Sequence, residues 1–306
     1  MAGGQERVLR RRIKSVNATK KITKAMELIA ASQISRSQQR IAANRPFRVG
    51  MANLIIEAAS ANKTIAEKML GTPESPKVIT IVCLVGDRGL SGAYNSSVLR
   101  ATERLLAEKA ATGAEIRLVT VGKKAPSYFR FRGFDVTESF LGFSDKPEFA
   151  DARAVATAIA QPFAAGEVDQ VLLVSMTYLT AAIQQVAVAQ LLPLPGPEEG
   201  NDDEGTAKVP TPVATEGYTE FEPDVEHLLQ ELAPKAVEAE VFAALLEGAA
   251  SFHASQQRAM AAATENAEEL ARTLTRTMNR ARQDAITTEI MEIVGGAEAL
   301  RPAKGA

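Results

Sequence analysis

Apolar positions along the chain keep two different rhythms, and the change between them divides it into parts. From about residue 5 to 69 they recur at steps of three and four, as in Leu9, Ile13 and Val16 and again in Ile22, Met26 and Ile29. That spacing predicts one long helix with an apolar stripe. Pro46 is expected to kink it, because the ring removes a backbone donor and crowds the previous turn, and Gly71, Pro73 and Pro76 are expected to end it. Residues 77–85 then form a continuous, largely β-branched run, the mark of a strand buried on both faces. Further strands are expected over 115–121, more weakly over 134–140, and over 168–177 and 182–191, the last two close enough to pair as a hairpin. Helices are expected over 98–111, with Asn95 and Ser96 as candidate caps, over 123–131 and over 147–165. Strands alternating with helices predict a Rossmann-like α/β domain with a mostly parallel sheet.

The helical rhythm returns near the C-terminus. A short helix over 224–233 is expected, with Pro234 as the first residue of a new helix that runs to about Leu300 past a tolerated Gly248. Val241, Leu245, Ala249, Phe252, Leu270 and Leu274 carry its rhythm, and Ile286, Ile290, Ile293, Ala297 and Leu300 close it with a stripe read as a coiled-coil seam. Helices of roughly 85 and 100 Å exceed the dimensions of a compact domain. The simplest arrangement winds the two terminal helices around each other, antiparallel, with small residues letting the backbones approach. The expected divisions are a coiled-coil helix over 1–70, an α/β domain over 77–192, an acidic Pro/Gly-rich loop over 193–223 and a helical segment over 224–306 that completes the coiled coil.

Charge sharpens this division. The net charge is only −2, yet the first 48 residues carry twelve Lys or Arg against Glu6 and Glu27, while residues 196–226 carry ten Asp or Glu against Lys208. A basic end and an acidic patch imply partners of opposite sign. The composition of the acidic segment cannot offset its own ordering entropy, and a mobile loop is expected there. Cys83 is the sole cysteine, so neither an internal disulfide nor a cysteine-based metal cluster can form. The longest apolar run is too short to cross a bilayer, and the basic N-terminal stretch, with no apolar core behind it, is not expected to act as a secretory signal.

Candidate chemistry is sparse. Gly86-Asp87-Arg88-Gly89-Leu90-Ser91-Gly92 follows a strand and precedes a helix, where phosphate loops sit. Its spacing is G-x-x-G-x-x-G, however, and no G-x-x-x-x-G-K-[ST] occurs. A structural turn and a nucleotide site both remain readings of it. The basic helix suits a nucleic-acid backbone, a solvated face or an acidic protein, although no aromatic interleaves with its charges before Phe47. His253 is read as a helix-surface residue, and no catalytic triad or preorganised carboxylate pair stands out. No cofactor and no metal are expected.

Three stretches carry a resemblance. Residues 9–32, from Leu9-Arg10-Arg11-Arg12-Ile13 through Lys24-Ala25-Met26-Glu27, the central residues 86–95, and the closing run 281–300 closely resemble, in order, the signatures of the gamma-subunit family of F-type ATP synthases. The resemblance implies a rotating central stalk without catalytic residues, its terminal helices turning inside a ring of alpha and beta subunits. The α/β domain would meet an epsilon subunit and a membrane ring of c subunits. It further implies ring contacts at Lys24, Met26, Arg282, Gln283, Thr287, Glu289 and Glu292. An apolar bearing end is implied at Ile293, Val294 and Leu300, and a foot near Phe221, Glu222 and Asp224. Nucleic acid is not a partner on this reading. The signature's early start, by Val8, leads to the expectation of a bacterial protein without an organelle presequence, at the cytoplasmic face of the plasma membrane. The acidic segment 195–220 is longer than the family pattern suggests, which puts the foot contacts in doubt.

Overall fold

The computed structural model describes residues 2–61, 75–194 and 224–299. Its elements are α1 (Ala2–Ala61), β1 (Val78–Leu84), α2 (Tyr94–Ala111), β2 (Glu115–Val121), α3 (Lys124–Phe131), β3 (Glu138–Phe140), α4 (Phe149–Ala164), β4 (Gln170–Tyr178), β5 (Gln184–Leu192) and α5 (Val225–Ala299). The chain forms two compact units, one of Met1–Ile29 with Gln257–Ala306 and one of Ala30–Gln256.

The larger unit is built on a five-stranded sheet of order β3-β2-β1-β4-β5. β1 pairs in parallel with β2 and β4, β2 pairs in parallel with β3, and β4 and β5 form the antiparallel hairpin. β1 takes the centre because its side chains are apolar on both faces. Ile79, Ile81, Cys83 and Val85 join α2 and α3 in one core. Val82 and Leu84 join α4 and the parts of α1 and α5 within this unit, through Ile159, Ile55 and Leu245, in the other. At about 25 cal/mol per Å² of apolar surface, such two-sided burial is the main favourable contribution of the strand.

Three expectations need correction. α2 begins at Tyr94, with Ala93 at its N-cap position and no side-chain cap, so neither Asn95 nor Ser96 caps it. The weak third strand shrinks to three residues at the sheet edge, where only Val119, Thr120 and Val121 are available to pair. α5 is one helix through Pro234, without the expected break, while α1 runs on through Pro46, where a kink and not a break was expected. A proline forfeits one ladder bond. Buried Leu229 and Val237 on either side of Pro234, and Ile34 and Met51 on either side of Pro46, hold the helices in register across that loss.

The smaller unit is an antiparallel helix pair. Thr23 hydrogen-bonds Thr264 at 2.8 Å and Lys20 bridges Glu268 at 3.0 Å, so advancing along α1 means retreating along α5. The buried positions of this seam include Leu9, Thr23, Met260, Thr264 and Ala267. Ile22, Ile29 and Leu270, expected on the stripe, are instead 61%, 60% and 49% exposed. Apolar Leu9 and Met260 share the seam with small Ala267 and the hydroxylated Thr23 and Thr264.

Candidate functional site

The glycine motif folds around Asp87. Its carboxylate accepts the backbone N–H groups of Lys123 (3.0 Å), Gly142 (2.9 Å) and Ser144 (3.0 Å) and the Ser144 hydroxyl (2.8 Å). Burial alone would raise this carboxyl, but those four donors together hold it below its usual value. Asn95 closes the other side, accepting the Gly86 N–H at 2.8 Å and donating to the Arg88 carbonyl at 3.0 Å. Arg88 is largely exposed and reaches Asp145 at 3.0 Å. Gly92 has φ 56°, as does Leu90 at 63°, a left-handed conformation that a branched side chain adopts only under strain. Gly122 has φ +94°, and a Cβ there would lie 2.2 Å from the Val85 carbonyl oxygen, so only glycine fits.

In a doubly wound fold, ligands occupy the crevice at the carboxyl ends of the strands. Here α5 fills it. A Cβ on Gly86 would sit 3.1 Å from the Phe252 ring and 3.3 Å from Asn95 Oδ1, so protein atoms hold the space a phosphate needs. Phe252 meets Tyr94 edge-on at 5.6 Å between centroids. His253 faces Asp145, its Nε2 3.4 Å from the Asp145 carbonyl oxygen, and is only 7% exposed. The surface assignment of His253 is therefore wrong. Burial holds its imidazole below the usual value, partly opposed by the Asp145 carbonyl, and its Nδ1 is buried without a hydrogen-bond partner. Among the described residues no cluster of three or more His, Cys, Asp or Glu is arranged to hold a metal ion.

The C-terminal run behaves differently from a seam. The register of the helix pair brings the start of α1 opposite about residue 285 of α5, both helices rising about 1.5 Å per residue. Ala281 and Ala285 are half-buried, whereas Ile286, Ile290, Ile293 and Val294 are 50%, 54%, 72% and 56% exposed. A single residue turns a helix by about 100°, so the stripe that begins at Ile286 points about a quarter-turn away from the seam that ends at Ala285. It is not the coiled-coil seam the spacing suggested. Arg282, Gln283, Thr287, Glu289 and Glu292 are all exposed around it. Lys24 is exposed and bridges Glu27 at 2.8 Å, while Met26 is half-buried. Asp224 accepts the His227 N–H at 2.8 Å and so caps the start of α5. Phe221, Glu222 and Leu300, like the acidic segment, lie outside the described residues.

The family model described as ATP synthase matches residues 5–300. The ATP synthase gamma chain of Parafrankia sp. (strain EAN1pec) is 46% identical over 301 residues, covering 97% of this chain and 98% of that one. The chain belongs to the ATP synthase gamma-chain family. The gamma chain of Streptomyces coelicolor is 40% identical over 98% of each chain. A chain of the Euglena gracilis mitochondrial ATP synthase superposes with a TM-score of 0.66 at 18% identity, over 99% of both chains. A chain from the central stalk and c-ring of the Tetrahymena thermophila enzyme gives 0.59 at 25% identity, over 79% of this chain and 99% of that one. The gamma-chain family accounts for the three signatures together, which neither a nucleotide-binding fold with helical arms nor a coiled-coil nucleic-acid binder does. Sequence reasoning missed Phe252 and Gly248 as partners of the motif loop. The signal was present, since a glycine inside a helix costs about 1 kcal/mol relative to alanine and is retained there for some compensating contact.

Proposed function

We propose that this chain is the rotating central stalk of a proton-translocating F-type ATP synthase, without a catalytic site of its own, coupling rotation of the c-ring to the cycle of the beta catalytic sites. The observation that carries this is the last part of α5, where an apolar stripe flanked by varied polar residues extends past the start of α1, exposed among the described residues. Family membership supports the same reading. Each angle of an asymmetric shaft would make contacts with one beta conformation that it cannot make with the others, and a differential affinity of that kind is what shifts a conformational equilibrium.

On this reading Lys24, Met26, Arg282, Gln283, Thr287, Glu289 and Glu292 meet the alpha and beta subunits. Ile293, Val294 and Leu300 turn in an apolar sleeve, where strong polar bonds would oppose rotation. Phe221, Glu222 and Asp224 belong to the foot, with the epsilon subunit and the c-ring below. Among the described residues no helix is long and apolar enough to cross a membrane. We place the chain peripherally, at the cytoplasmic side of the bacterial plasma membrane. The deciding experiment is purification of the tagged chain from its own cells: alpha and beta subunits should follow in a three-to-three-to-one ratio. Their absence would overturn the reading. Replacing Met26 with Lys should then lower proton pumping per ATP more than assembly, and an unchanged ratio would remove Met26 from the contact.

A further inference from the structure

We infer that the motif loop is a torsional seat for α5, with Gly86, Gly248 and Phe252 as positioning residues that make the α/β unit turn with this helix. The inference rests on the rotary reading and adds where torque passes. The crossing is close. A Cβ on Gly248 would lie 2.9 Å from Leu84 Cδ2 and 3.2 Å from the Tyr94 hydroxyl, so α5 meets the end of β1 at a position without a side chain. Turning α5 about its own axis by one residue, about 100°, would bring Glu247 or Ala249 to that point, and neither has room. The steric stop acts in both directions.

Phe252 supplies the second hold. It lies one turn beyond Gly248, is 2% exposed, and packs into the core formed by Ile81, Val85 and Tyr94. Leu245, nearly one turn before Gly248, packs into the core on the opposite face of the sheet. α5 thus crosses the strand ends with one anchor on each side and the glycine between them. Rotation about the helix axis would withdraw both anchors and drive the glycine position into β1. The loop beneath is itself fixed, because Asp87 ties it to the segments at Lys123 and Ser144. A loop so held is suited to bear load, which gives a reason for an intramolecular partner where related folds bind phosphate.

The test uses the assembled complex. Cys83 is the sole cysteine of this chain, buried, with its thiol pushed up to about 12 by burial, so a Ser127→Cys substitution on α3 takes a thiol-linked probe selectively when the chain is labelled before assembly. With the ring fixed to a surface and no nucleotide present, the angular fluctuation of the probe reads torsional stiffness. Phe252→Ala should widen the angular variance about twofold, and Phe252→Leu should restore most of the difference, because filling the pocket recovers the anchor. Both are measured well below the unfolding temperature, where a change in stability alone leaves the variance unmoved. Equal variance in wild type and Phe252→Ala overturns the inference. Should Phe252→Ala fail to assemble, Phe252→Met carries the same comparison with a smaller widening, and no widening overturns it equally. A wild-type probe that ATP does not turn would sink the rotary reading itself, a failure visible before any variant is compared.

Discussion

Asp87 and His253 show how single side chains hold the crossing together. Replacing Asp87 with Ala strands three backbone N–H groups and the Ser144 hydroxyl, and should cost about 2 kcal/mol in urea unfolding of the isolated chain. Asp87→Asn, which keeps one acceptor oxygen, should cost less than half of that, and equal losses would argue against the carboxylate as the organising group. The two residues also set an acid limit. His253 has its folded value depressed by burial, with Asp145, Arg88 and Gln256 as the polar groups that face it. The unfolded chain therefore binds the proton more readily, and the contribution of His253 is complete above about pH 6.5 and is lost as pH falls through the folded value. Asp87, also depressed, adds a second loss below about pH 3.9. His253→Gln should flatten the first decline while leaving the second, as measured by unfolding midpoints across pH. A decline below about pH 6.5 that is as steep in the variant would assign it to another group.

At the scale of elements, β1, β2 and the hairpin were legible because strand formation here follows from local apolar runs that have only one way to be buried. The helix pair was legible in kind and only partly in phase, since Leu9 is buried and Ile13, Val16 and Met26 half-buried as expected while Ile22, Ile29 and Leu270 are exposed. Periodicity places an apolar face on a helix without saying which neighbour covers it, so Ile22 and Leu270 read as seam while the buried positions are Thr23 and Ala267. Hydroxyls carry no apolar signal, yet the Thr23–Thr264 pair sits at the centre of that seam. A polar pair inside an apolar contact is best attested as a device for register. Changing both residues to Val keeps their shape and removes both groups together, so stability should move by no more than about 1 kcal/mol. Register should loosen. Asn17 and Ala271 line one groove nearly two turns along the helix pair from the threonines, and cysteines introduced at both should cross-link cleanly in the native background. The Val pair should divide that product among neighbouring positions, and an undivided product would deny the threonines this role.

For the whole molecule, the decisive feature is an apolar stripe that the described residues leave uncovered, and it was legible as a stripe though not as an exposed one. Ile286, Ile290 and Ile293 are at least half exposed among the described residues, so changing all three to Asn should leave the chain's own unfolding within about 0.5 kcal/mol of wild type. Binding is another matter. Each isoleucine is at least half exposed, and covering the exposed parts of three such side chains in an apolar sleeve is worth about 3 to 5 kcal/mol in total, at about 1.5–3 kcal/mol for each fully buried isoleucine. The triple variant should therefore bind the ring of alpha and beta subunits at least a hundredfold more weakly, as read by titration of labelled chain into the ring. The two measurements separate the explanations by sign. A variant that unfolds early would show that the stripe stabilises the chain itself, through a contact within it. A variant that keeps both its stability and its affinity would show that the stripe faces water in the complex as well, and the polar positions around it would then have to carry the contact alone.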